Sequence, residues 1–454
     1  METVSGAGNG RDRAELAGTS QSDRHSILSD QTARRGFRRT ESASIPPWSG
    51  MSNPGKKILQ VSAAAVTSQR LNSLDQFRGY TVVGMFLVNF VGGFAVTPEI
   101  LKHHHDYCSY ADTIMPQFLF AVGFAFRLTF ERRVQRDGYR AAYGRMVKRL
   151  LGLVLLSMVI YAASRPAESW DQLQALGPLE MFGRAMKREW FQTLMHIAAT
   201  SLWILPFIRT RTSIRIAFAI TSAALHVALS WWFNFEWCNT SPNAIDGGPL
   251  GFLTWTVPAV TGTVACDLVA QPNLRQRWVR LLTGSLVLMA LGWVLSCGTR
   301  FYDVPTNQVD SLRDIRLAAS PVIPTSEQLV IRGAAELPFV SPPDSTLRKW
   351  NYWMMSQRAG TLSYLTFGAG FSLAVFLLFH LLCDRYRFSF RPFQVFGTNA
   401  LAGYVLHLLA MDAIDPFVPR DAPALYILCS LFVFFGVMWM FVRHLEKNNI
   451  YLRL

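Results

Sequence analysis

From residue 79 onward the chain alternates apolar runs with short polar segments. The runs fall near 79–97, 111–130, 148–163, 191–208, 214–232, 251–270, 281–297, 360–383, 393–411 and 423–442. Each is close to the roughly 17–25 residues that carry a helix across the hydrocarbon core of a bilayer. The pattern predicts an all-α polytopic membrane protein of about ten transmembrane helices. Alternate connections are basic: Lys56, Lys57, Arg70 and Arg78; then Arg132, Arg133, Arg136, Arg140, Arg145, Lys148 and Arg149; then Arg209, Arg211 and Arg215. Arg275, Arg277 and Arg280, then Arg385, Arg387 and Arg391, and finally Arg443 and Lys447 continue the series. Basic loops stay in the cytoplasm, so both termini are expected there, with external loops near 98–110, 164–190, 233–250 and 298–358.

Residues 1–70 break the pattern. They are rich in Ser, Gly and Arg, hold no apolar segment of signal-peptide type, and read as a disordered, basic cytoplasmic tail ahead of a membrane domain spanning 71–454. Met51, just before Ser-Asn-Pro-Gly-Lys-Lys, is an alternative start.

Composition agrees with the pattern. Only 16% of the 454 residues are charged and 50% are hydrophobic, against about a quarter charged in a soluble protein. The net charge of +14 sits in the short loops, so it reports topology and not nucleic-acid binding. Six scattered Cys without a CxxC pair give no zinc or redox motif, and no metal is expected. Cys108, Cys238 and Cys297 share the expected outer side, where two of them are candidates for a disulfide.

Candidate chemistry gathers at Leu101–Phe124, where His103, His104 and His105 precede Asp112 at the start of an apolar run. An ionisable cluster at the mouth of a membrane helix is costly to keep there without a function; a solvated loop is the plain alternative. Asn89 lies 11 residues beyond Arg78 in the first run, about 16 Å along a helix and roughly mid-membrane. It reads as helix–helix glue or as one wall of a pocket toward the histidines. Asp75 and Arg78 share a helix face at the cytoplasmic entrance, as a cap with an ion pair or as charge for a phosphorylated donor. Asn399 and His407 share a broad face of the ninth run, as secondary candidates.

The sequence SLDQFRGYTVVGMFLVNF, followed by KHHHDYCSYADTIMPQFLFAVG, resembles the catalytic region of the transmembrane heparan-α-glucosaminide N-acetyltransferases and their bacterial relatives. Matching positions are Asp75, Phe77, Arg78, Gly79, Asn89, Lys102, His103, Ala111, Asp112, Pro116, Phe118, Phe120 and Gly123. TLSYLTF at 361–367 and GTNALAGYVLH at 397–407 are similar to later family segments. The resemblance implies acetyl transfer from cytosolic acetyl-CoA to an amino sugar or glycan on the far side of a bacterial cytoplasmic membrane. It also implies a catalytic histidine, here His103 or His104, although His103 stands one residue nearer Asp112 than in the family and the family's Trp-Asn-Gly is absent. On chemical grounds the imidazole serves as base or acyl carrier, Asp112 orients it, and Asn89 steadies an oxyanion. A transporter or channel with a polar pathway is the competing reading, and a homodimer is an expected assembly.

Overall fold

The computed structural model describes residues 71–105, 107–161, 167–296 and 352–452. The expected N-terminal tail, Cys297 and most of the expected loop 298–358 lie outside them. The described residues form helices joined by turns, with no strand among them.

Ten helices occupy the places of the ten apolar runs. They are α1 (Asn72–Val91), α2 (Tyr110–Asp137), α3 (Tyr139–Ile160), α4 (Thr193–Ile204), α5 (Thr212–Leu229), α6 (Phe252–Val269), α7 (Leu274–Ser296), α8 (Leu362–Phe379), α9 (Ala400–Ile414) and α10 (Ala424–Lys447). Seven helices among the described residues are long and apolar enough to cross a membrane; α1, α3 and the shorter α4 do not meet that measure.

Burial sorts the helices into two shells. Helices α2, α6 and α8 are mostly buried, while α5, α7, α9 and α10 are mostly exposed. The exposed faces are apolar: Leu286 and Val287 on α7 and Leu425, Phe432 and Met440 on α10 are all more than half exposed. Continuous apolar faces of this kind mark contact with another apolar phase, here the acyl chains of a bilayer.

Small residues let the inner shell close. A Cβ on Gly123 of α2 would lie 1.9 Å from the Ala259 carbonyl oxygen of α6, and one on Gly262 of α6 would lie 2.1 Å from that of Phe120. The two backbones meet directly, which is how helices gain packing where lipid removes the hydrophobic drive between them. At one end of this pair, Arg127 of α2 donates from Nε to Asp267 Oδ1 at 2.9 Å. Arg215 of α5, only 2% exposed, pairs with the other oxygen of Asp267.

Three expectations change. Helix α1 covers 72–91, not 79–97, because Gly92 and Gly93 end it; Asn89 therefore stands in its last turn and not at its middle. The ninth run is broken: Arg391–Thr398 and α9 are separate helices, and Asn399 between them has a non-helical backbone. Cys108 and Cys238 are both free, so they form no disulfide with each other.

Candidate active site

The loop that ends α1 and begins α2 is fixed by Ser109. Its hydroxyl caps α2 by accepting from the Asp112 backbone N–H, and Asp112 returns the bond to the Ser109 N–H, a capping box with Asp in the third position. This places the Asp112 carboxylate, 1% exposed, at the helix mouth. Ser109 donates to Oδ2 from backbone and hydroxyl, both at 3.0 Å, and the His104 backbone N–H approaches it at 3.3 Å. The remaining direction, from Oδ1, meets His103 Nδ1 at 2.9 Å.

Pro116 prepares the same turn from below. Proline has no N–H, so the Asp112 carbonyl lacks its helical partner four residues on. The buried Tyr364 of α8 supplies the missing donor, its hydroxyl 2.6 Å from that oxygen. We expect Tyr364→Phe to leave the carbonyl unpaired and to destabilise the protein by about 1–3 kcal/mol. Thermal unfolding in detergent checks this, and an unchanged midpoint would contradict it.

The structure separates the three histidines. His103 holds Asp112, whereas His104 turns away: its Nε2 lies 2.9 Å from the Glu99 carbonyl and its ring stacks on Tyr107 with centroids 4.1 Å apart. His105 is exposed, and its neighbouring cation is Arg358.

The His103 ring is 39% exposed. Burial disfavours its cation, but the hydrogen bond and charge of Asp112, then the charge of Asp246 and the Gln357 amide, outweigh burial and hold the imidazole above its ordinary range.

Asp246 and Gln357 were not legible as site residues. Asp246 sits in Asp-Gly-Gly, which reads as a turn, and Gln357 in a loop of no special composition. The turn does form, with Asp246 at φ +56°. Gln357 Nε2 donates to Asp246 Oδ1 at 3.1 Å, which ties the two loops together. Burial pushes the Asp246 carboxyl up to about 7, although the Gln357 hydrogen bond and the His103 charge act against the rise.

Asn89 and His407, candidates from opposite ends of the chain, meet each other. Asn89 Nδ2 lies 3.2 Å from His407 Nε2, and His407 Nδ1 faces the Tyr404 carbonyl. A carbonyl only accepts, so Nδ1 carries the proton and Nε2 accepts from Asn89. The Tyr404 hydroxyl bonds that of Tyr161, and both lie within electrostatic reach of Asp246.

Other candidates stand elsewhere. Asp75 and Arg78 pair at 4.0 Å at the opposite end of α1. Asn399 is no neighbour of His407: its amide donates to the Ile450 carbonyl at 2.9 Å and accepts from the Leu452 N–H at 3.2 Å, tying down the last described residues. Its broken backbone takes it off the α9 face on which the expectation placed it.

No curated protein matches the chain. Residues 70–244, the stretch that carries Asn89, His103 and Asp112 and stops two residues short of Asp246, match the model of the family described as heparan-alpha-glucosaminide N-acetyltransferase, catalytic.

Proposed function

We propose that the protein is a multi-pass acetyltransferase that moves the acetyl group of cytosolic acetyl-CoA to an amine on an extracytoplasmic sugar or glycan. The observation that carries this reading is the His103–Asp112 pair, a candidate base with a buried carboxylate to orient it, inside the stretch that matches an acetyltransferase family. The alternation of basic loops supports ten spans, cytoplasmic termini and a site on the outer side.

In this reading His103 is the catalytic histidine and Nδ1–H donates to Asp112, leaving Nε2 to take a proton from the acceptor. The acceptor's ammonium gives one proton to His103, the amine so formed attacks the thioester carbonyl, the C–N bond forms as the C–S bond breaks, and CoA leaves as a thiolate that takes a second nitrogen proton, so that one N–H remains in the amide. Asn89 spends one amide hydrogen on His407 and keeps another for the developing oxyanion, a contact worth about 3–4 kcal/mol where it has been measured. At the other end of the bundle Arg78 lies within electrostatic reach of Arg149, which also feels Arg133, a group of cations suited to a phosphorylated donor. Asp75 restrains Arg78 there.

The reading is tested with purified protein in detergent, given acetyl-CoA and a panel of amino sugars while free CoA is followed. Amine-dependent CoA release is expected. No release with any amine would overturn the reading and leave solute transport as the function to assay.

A further inference from the structure

Where α2, α5 and α6 meet, arginines outnumber their acidic partners. Asp267 of α6 is the shared acid. Its Oδ1 accepts from Arg127 of α2 at 2.9 Å, and its Oδ2 accepts from Thr212 Oγ1 at 3.1 Å and from Arg215 of α5. One carboxylate therefore faces two guanidinium groups. Arg209, in the turn before α5, uses Glu131, one turn beyond Arg127, at 3.0 Å. Arg211 holds the N-cap position of α5 without capping it, and the first turn of that helix contains no acid. The positive end of α5 adds to the excess.

The unused donors are buried. Arg215 is 2% exposed, yet its Nε and Nη1 have no partner among the described residues. Arg132 leaves Nε and Nη2 in the same condition, and its charge reaches Cys266 together with those of Arg127 and Arg215. A guanidinium keeps its charge in a protein, and a buried charged donor without an acceptor is costly. An anion with several acceptor oxygens would satisfy these nitrogens, and phosphate matches the guanidinium fork with two parallel bonds.

The surroundings point to the source of that phosphate. Arg127 and Asp267 are 23% and 29% exposed, so the group is reached from the surface. It lies at the first residues of the apolar stretch Thr212–Asn239, and from that level α5 turns Ile214, Ile216 and Ile220 outward. A lipid uses both the cations and the apolar face beside them; a soluble anion uses only the cations. Basic pockets between membrane helices hold anionic headgroups in this way.

We infer that Arg127, Arg132 and Arg215 bind the phosphate of an anionic phospholipid whose acyl chains lie along the isoleucine face of α5. The site stands toward the other end of α2 from His103, and it does not depend on the acetyltransferase reading.

The test measures equilibrium binding of labelled phosphatidylglycerol and phosphatidylcholine to folded, purified protein in a neutral detergent. Wild type is expected to bind phosphatidylglycerol at least about tenfold more tightly than phosphatidylcholine, with no displacement by excess inorganic phosphate or CoA. Arg215→Gln removes the charge and weakens phosphatidylglycerol binding about 10- to 100-fold, the worth of a charge-assisted bond. Should that variant fail to fold, Arg132→Gln, which breaks no ion pair among the described residues, is expected to weaken binding at least about threefold. Asp267→Asn separates charge from structure: with the competing carboxylate gone the arginines are freed and binding is kept or tightened, whereas a purely structural cluster would lose it. No preference for phosphatidylglycerol in wild type, binding unchanged in the arginine variants, a loss in Asp267→Asn equal to that in Arg215→Gln, or displacement of the lipid by phosphate or CoA overturns the assignment.

Discussion

Replacing His103 with alanine lowers the rate of acetyl transfer by about 10²–10⁴-fold, the usual contribution of a positioned general base. His104→Ala, one residue away, loses no more than about tenfold, because its ring bonds the Glu99 carbonyl and Tyr107 and pairs with the Glu99 carboxylate at 3.4 Å. The contrast follows from geometry. Of the two rings, only that of His103 bonds the buried Asp112; His104 reaches it through its backbone N–H. Steady-state rates of the two variants with a common amine check this. Equal losses would mean that the run of histidines acts through its charge or loop structure and not through one base.

Asp112→Asn gives a second large effect, and it has a direction in pH. Ser109 donates to one carboxylate oxygen from its backbone and hydroxyl, while His103 donates to the other. Asparagine has a single acceptor oxygen, so its amide must oppose either Ser109 or His103. If it faces His103, the ring is held in the wrong tautomer, a fault that costs a Ser-His-Asp triad about 10⁴ in kcat. The charge that favours imidazolium is also gone. In wild type that charge helps to hold His103 above its ordinary range against burial. The base form is therefore lost as pH falls through that raised value. Without Asp112, burial dominates, the pKa falls, and the acidic limb of the rate profile moves to lower pH. A limb that stays in place, measured as kcat/KM against pH, would show that Asp112 does not tune this histidine.

Much of the architecture was legible because a bilayer imposes length and apolarity on every span: α4, α5, α6 and α8 lie close to the runs that predict them, while α3 and α7 begin nine and seven residues before theirs. Boundaries set by single backbone events were not. Gly92 and Gly93 end α1 early within an otherwise apolar run, and the break at Asn399 depends on contacts with Ile450 and Leu452, fifty residues on. At the site, His103 and Asp112 were readable because both lie in one short segment with capping-box spacing. The Asn89–His407 pair was half readable: each residue was visible as a polar group in a span, but their meeting joins α1 to α9. Asp246 and Gln357 carried no local signal, since a buried charge in a strained turn looks in sequence like any Asp-Gly turn. Tyr364 lay within the segment TLSYLTF, yet its task becomes clear only when Pro116 is seen to leave the Asp112 carbonyl without a helical partner.

The central claim is that one histidine, acting as a base, lets an acetyl group pass from a donor on one side of the membrane to an amine on the other. It is tested most directly in sealed proteoliposomes of uniform orientation, with acetyl-labelled acetyl-CoA outside and glucosamine trapped within. With the basic loops facing the donor, label is predicted to accumulate on the enclosed amine, to vanish with His103→Ala and to persist with His104→Ala. Label confined to amine on the donor side, or transfer unaffected by His103→Ala, would contradict the account.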